Sequence, residues 1–256
     1  MIPTDPLFYI VGLTTIFVIA FGKGAFGGGL AVLGIPLLSL VMSPIDAAII
    51  VAPITVFTDI FALGSYRLDG ASKPDVKWFI PAMLVGLSLG YFFFVLIDPK
   101  YVNVGIGLVT FVFAADWFLR TRKGPENVER PFSRPFAAFC GGLFGFTSFV
   151  AHSGGPVLTA YLLHRGLNKT LYVGTAIVIF VVVNLLKLFP YLLLGWARPS
   201  ALVHTLLLAP AVPVGVWLGA YFHKKVNQRT LFFWCYAILL LASAKLLFDA
   251  LRTLLA

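Results

Sequence analysis

Lys23 stands among glycines in an otherwise apolar stretch, Phe21-Gly-Lys-Gly-Ala-Phe-Gly-Gly-Gly-Leu30, where an ammonium group is costly unless it meets an anion or reaches water. A second glycine-broken stretch, Gly141-Gly-Leu-Phe-Gly145 running to His152-Ser-Gly-Gly-Pro156, carries Thr147, Ser148, His152 and Ser153. Asp59, Asn184 and Lys187 lie in the apolar runs that follow the two stretches. Hydroxyls, an amide and two ammonium groups suit the binding of a small anion such as a carboxylate or sulfonate, and Asp59 and His152 suit the uptake of a proton. Plainer roles fit the same residues. Lys23 also suits snorkelling to an interface, and His152 suits bonding a backbone carbonyl. Asp59 and Lys187 each fall within roughly two turns of a predicted span end, where water reaches.

The elements that position these groups are interrupted helices. Aligning Pro36 with Pro156 sets Gly34-Ile-Pro-Leu-Leu38 against Gly154-Gly-Pro-Val-Leu158, and each proline suits the first turn of a new helix. The free amides of two such starts would together attract an anion. Gly27, Gly28, Gly29, Gly154 and Gly155 would let it approach the backbone, although close helix packing through small residues explains glycines equally. The same alignment sets Thr55 opposite Thr175 and Lys23 opposite Leu143, and it leaves Asp59 and Asn184 out of register.

Composition places these breaks in a membrane. The residues are 60% hydrophobic and 11% charged with mean hydropathy +0.96, whereas soluble domains are roughly 25% charged. Non-helical backbone survives in hydrocarbon only where protein buries it or it lines a cavity, and corresponding interruptions in two halves point to a transport site. Spans are expected near 46–66, 76–97 and 101–119, and again near 170–194, 201–222 and 230–251, with broken stretches at 7–42 and 136–165. The start, Met1 to Ile10, has no basic cluster, so the first apolar segment is expected to be retained. Trp78, Tyr101, Trp117 and Trp196 fall near span ends, as an interfacial belt requires.

The net charge of +9 resides in short loops beside the spans, which favours topogenic charge and lipid contact over nucleic acid. Basic loops occur at Arg67–Lys77, Arg120–Arg134, His164–Lys169 and His223–Arg229. All four can be cytoplasmic only if each broken stretch enters and leaves on one side. Phe136 to Arg165 is also short for two full crossings, which need about 40 residues with a turn. The expected fold is therefore an all-α polytopic membrane protein of two inverted repeats, each a re-entrant helical hairpin followed by three transmembrane helices. Residues 1–119 form the first repeat, 120–134 a basic cytoplasmic linker and 135–256 the second repeat, with both termini outside.

Cys140 and Cys235 lie in apolar sequence without metal-ligand spacing, so buried thiols and no metal site are expected. No Walker A, HExxH or dinucleotide motif occurs, and no cofactor is expected.

Gly24-Ala-Phe-Gly-Gly-Gly29 with Gly34-Ile-Pro-Leu-Leu38, and Gly141-Gly-Leu-Phe-Gly145 with Ser153-Gly-Gly-Pro156 and Gly174-Thr175, resemble the TauE/SafE family of sulfite and organosulfonate exporters over essentially the whole chain. The resemblance implies a secondary transporter, not an enzyme, that moves sulfite, sulfoacetate or a related C2 sulfonate across the bacterial inner membrane, usually outward. It adds no second basic ligand opposite Lys23. An anion channel or an importer has the same architecture. A different class, an intramembrane serine hydrolase built on Ser153 and His204, explains the glycines less economically. Protons are candidate partners, and a homodimer suits so small a transporter.

Overall fold

A computed structural model describes residues 6–42, 44–66, 70–93, 99–121, 129–150, 154–193 and 199–255. Among them all the regular secondary structure is helical. A first helix, α1 (Pro6–Phe26), is followed by a 3₁₀ turn (Gly29–Leu33), α2 (Gly34–Leu38), α3 (Pro44–Ser65), α4 (Lys73–Phe93) and α5 (Pro99–Thr121). After the linker come α6 (Arg134–Val150), α7 (Gly154–Arg165), α8 (Lys169–Leu193), α9 (Pro199–Leu208), α10 (Ala211–Lys225) and α11 (Gln228–Leu255). Segments Pro6–Phe26, Lys73–Phe93, Lys169–Leu188 and Gln228–Asp249 are long and apolar enough to cross a membrane. The chain is thus a polytopic membrane protein. His152, Ser153, Arg67, Arg122, Lys123 and Trp196 lie outside the described residues.

Helix packing repeats between the halves. The most extensive contacts are α4 with α6 and α1 with α10, and α3 packs on α8 as α5 packs on α11. Exchanging α1 for α6, α3 for α8, α4 for α10 and α5 for α11 maps this set of contacts onto itself.

Glycine makes the two largest contacts close. A Cβ on Gly86 would sit 1.9 Å from the Gly142 carbonyl oxygen, and one on Gly145 would sit 2.1 Å from that of Met83. On the other side of the molecule, a Cβ on Gly24 would come within 2.5 Å of the Val216 carbonyl and one on Gly219 within 2.4 Å of the Phe21 carbonyl. Without a hydrophobic drive between helices in lipid, such backbone approach supplies dispersion contacts.

This packing corrects the expected breaks. Gly141 to Gly145 does not interrupt a helix but lies within α6 against α4, and Gly22 and Gly24 lie within α1. The first interruption falls at Gly27 (φ +73°) and Gly28 (φ +117°). There the amide of Gly27 donates to the Lys23 carbonyl at 3.1 Å, the single bond of a left-handed glycine helix cap, and that of Gly28 donates to the Gly22 carbonyl at 3.2 Å. The expected span 201–222 is also divided, because the chain turns at Ala209 and Pro210 between α9 and α10. Pro36 and Pro156 each occupy the third residue of their helices, although α2 is only 5 residues long.

The four basic loops meet at one end of the molecule. Asp75 near the start of α4 binds Arg165 at the end of α7, Nε to Oδ1 3.0 Å. The Arg130 amide donates to the Arg165 carbonyl at 3.0 Å. Lys169 donates to the carbonyls of His223 and Val226 at 2.9 and 2.6 Å. The linker and the end of α7 therefore adjoin, so α6 and α7 form a hairpin with both ends on the basic side. The tip of α1 also reaches this end, because Tyr66 and His223 cap the carbonyls of Gly24 and Ala25. Trp78 and Tyr101 are exposed, while Trp117 stacks on Tyr236 at 4.2 Å.

Candidate functional site

One face of α8 collects the candidate residues. Val173, Ala176, Phe180, Asn184 and Lys187 recur at helical spacing over about 21 Å of helix. A Cβ on Gly27 would meet Ala176 and Val173, and one on Gly28 would meet Phe180 and the Lys23 side chain. The tip of the first hairpin is thereby seated against the lower part of this face, the part nearer Lys169. Further along, Lys187 Nζ lies 3.5 Å from the Ser148 carbonyl of α6, which places the second hairpin's tip at the opposite end.

Between the tips, Lys23 and Asp59 form an ion pair, Nζ to Oδ1 2.6 Å, and both side chains are fully buried. Asn184 donates its amide to the other oxygen, Oδ2, at 2.7 Å. The Lys23 ammonium also lies 3.8 Å from the centre of the Phe180 ring, whose electron-rich face favours a cation. Phe144 packs edge-on against Phe180, with ring centroids 5.7 Å apart. Asp59 and Asn184, out of register in the proline alignment, are hydrogen-bonded partners. Lys23 is committed to an internal carboxylate and does not snorkel.

Lys187 differs in this respect. It is half-buried, and it feels the Asp59 carboxylate only at longer range, with no ion pair in contact distance among the described residues. Two ammonium groups share the one carboxylate, Lys23 in contact and Lys187 at longer range, so the cluster carries one net positive charge. Nearby, Gly154 opens α7 tightly against Ser148 and Phe144, since a Cβ there would fall 1.9 Å from Ser148 Oγ. Gly155 faces open space. The 12-residue α7 directs the free amides of its first turn to this region. The first half offers no equal counterpart, because a 3₁₀ turn opening at Gly29 and the short α2 stand there.

Other expected participants are placed elsewhere or have local partners. Thr55 Oγ1 donates to the Ala52 carbonyl. Thr175 donates to the Leu171 carbonyl and accepts from the Ser72 amide at 2.8 Å. His204 packs beside Phe8, with ring centroids 5.3 Å apart. Cys140 and Cys235 are buried free thiols, and no metal-binding cluster occurs among the described residues.

Two partners escape the sequence reading. Phe180 is one phenylalanine among 25, and only the helical phase it shares with Asn184 and Lys187 distinguishes it. Asp75, flanked by Lys73 and Lys77, reads as loop charge. It is in fact wholly buried, accepting from Ser72 Oγ at 2.5 Å, from the Tyr161 hydroxyl and from Arg165.

No curated protein and no solved structure matches the chain. The family model described as "Sulfite exporter TauE/SafE" matches residues 12–246. The chain belongs to this family, which implies a membrane transporter of sulfur anions.

Proposed function

We propose that this TauE/SafE family member is a secondary transporter of a small sulfur anion, sulfite or a C2 sulfonate such as sulfoacetate, exported across the bacterial inner membrane by alternating access. The observation that carries the reading is the buried Lys23–Asp59 pair held by Asn184 against one face of α8, with the half-buried Lys187 further along that face, between the two hairpin tips. The anion sits at the ammonium of Lys187, beside Ser148 and the amides of Gly154 and Gly155.

The Lys23–Asp59 pair couples transport to protons. A proton taken up by Asp59 cancels its attraction for Lys23, so the ammonium becomes available to the anion near Gly28 and Gly29. Loss of the proton restores the pair. Repeats 1–119 and 135–256, inverted about the site and joined by a cytoplasmic linker at 120–134, rock against each other along the exchangeable helix contacts.

The test is flux of radiolabelled sulfite and sulfoacetate into proteoliposomes holding the purified protein, with and without an imposed pH gradient. Saturable flux that responds to the gradient is the expected result. Saturable flux indifferent to the gradient would remove the proton coupling, and absence of flux for both anions would remove the substrate assignment.

A further inference from the structure

A groove of about 500 Å³ runs between α5, α6 and α7, on the side of α6 away from α4, and takes no part in the anion site. Its walls are almost wholly apolar, with Gly105, Val109 and Phe113 from α5 facing Phe139 and Leu143 from α6. Tyr101, Val109 and Phe139 are exposed along it at 61%, 67% and 66%, so it opens sideways where the membrane's hydrocarbon lies. From Tyr101 to Phe113 the lining extends about 18 Å along α5, somewhat more than one leaflet's share of a hydrocarbon core of ~30 Å.

The end of the groove at the basic loops is polar. His164 lines it there, and the Arg130 guanidinium lies against that ring, Nη1 to Nδ1 3.1 Å and to Nε2 3.2 Å. The Arg130 backbone is fixed at this mouth by its amide bond to the Arg165 carbonyl and by the Arg165 guanidinium on its own carbonyl. Its exposed guanidinium has no carboxylate partner among the described residues. Arg165 is neutralised by Asp75, whereas Arg130, in contact with the lining residue His164, keeps an unneutralised guanidinium at this end among the described residues.

We propose that this groove binds an anionic glycerophospholipid, with one acyl chain along α5 between Gly105 and Phe113 and the phosphate at Arg130 and His164. Charge at one end and hydrocarbon along the remainder match an amphiphile, whereas a free anion would leave the groove unused and a neutral chain would leave Arg130 unused. The inference rests on membrane embedding and is independent of which anion is transported.

Native mass spectrometry of the delipidated full chain, titrated with phosphatidylglycerol and with phosphatidylcholine of the same acyl chains, tests it. Wild type is expected to retain phosphatidylglycerol roughly fivefold better, the contribution of one arginine near an anionic headgroup. Arg130→Gln is expected to abolish that preference. Gly105→Leu, at a position where an added Cβ meets nothing within 4 Å, should fill the groove and remove one bound lipid of either kind. Gly64→Leu, equally unobstructed on α3, should leave binding unchanged. Equal retention of the two lipids by wild type, or unchanged binding in Gly105→Leu, would overturn the proposal. So would displacement of phosphatidylglycerol by inorganic phosphate, or a dimer that Gly105→Leu dissociates, which would assign the groove to a second copy of the chain.

Discussion

Lys23 and Asp59 are joined as a buried ion pair, Nζ to Oδ1 2.6 Å, with Asn184 holding the second carboxylate oxygen at 2.7 Å. The three residues come from α1, α3 and α8, so the pair ties the first hairpin to the helix pair at the middle of the molecule. Removing one member leaves the other charged and uncompensated away from water.

Lys23→Met and Asp59→Leu are each expected to destabilise the protein by about 3–5 kcal/mol, and the double variant by much less than their sum. Thermal unfolding of the four proteins in one detergent measures this. Additive losses would mean that the two side chains do not depend on each other.

Gly145→Ala is expected to cost about 1–3 kcal/mol, because its methyl would be driven into the Met83 carbonyl of α4. Gly155→Ala should preserve stability, since open space lies beside that residue, but weaken sulfite affinity by placing a methyl at the anion's approach. Unfolding curves paired with equilibrium sulfite binding separate the two effects. Destabilisation by Gly155→Ala would show that the position is packed.

Arg165 closes the basic end by holding Asp75, which also receives Ser72 and Tyr161. In a background with Cys140 and Cys235 replaced by alanine, a cysteine in place of the buried Thr175 should react slowly with a water-soluble maleimide. Adding Arg165→Gln should speed that reaction several-fold. Unchanged labelling would show that the network does not restrain opening.

Much of the fold follows from features the sequence displays. Apolar length identifies the long helices α4, α8 and α11 among the expected spans, and basic residues in loops identify the end at which Asp75, Arg130, Arg165 and Lys169 gather. Gly27 and Gly28 stand at a turn that requires positive φ, and the two prolines keep a common position. Gly141–Gly145 misleads because glycine serves both a helix break and a close helix contact, and only the partner α4 distinguishes them. The pairing of Lys23 with Asp59 depends on how α1, α3 and α8 cross, which local spacing does not encode. Asp75 is concealed for the same reason, its counter-charge being Arg165 at the far end of another helix. The division at Pro210 is equally hard to foresee, since proline is tolerated within α3 at Pro53 and within α4 at Pro81.

Sulfite flux into proteoliposomes containing wild type or Lys187→Ala, at matched amounts of folded protein, tests the assignment of the anion to the Lys187 ammonium on α8. Among the described residues the one hydrogen bond of Lys187 is a long one, to the Ser148 carbonyl at 3.5 Å, and Asp59 attracts it only from beyond contact distance, so its removal should leave stability near wild type. Half-saturation is expected to rise at least tenfold for Lys187→Ala and to recover partly in Lys187→Arg. A folded Lys187→Ala protein with wild-type half-saturation would contradict the site.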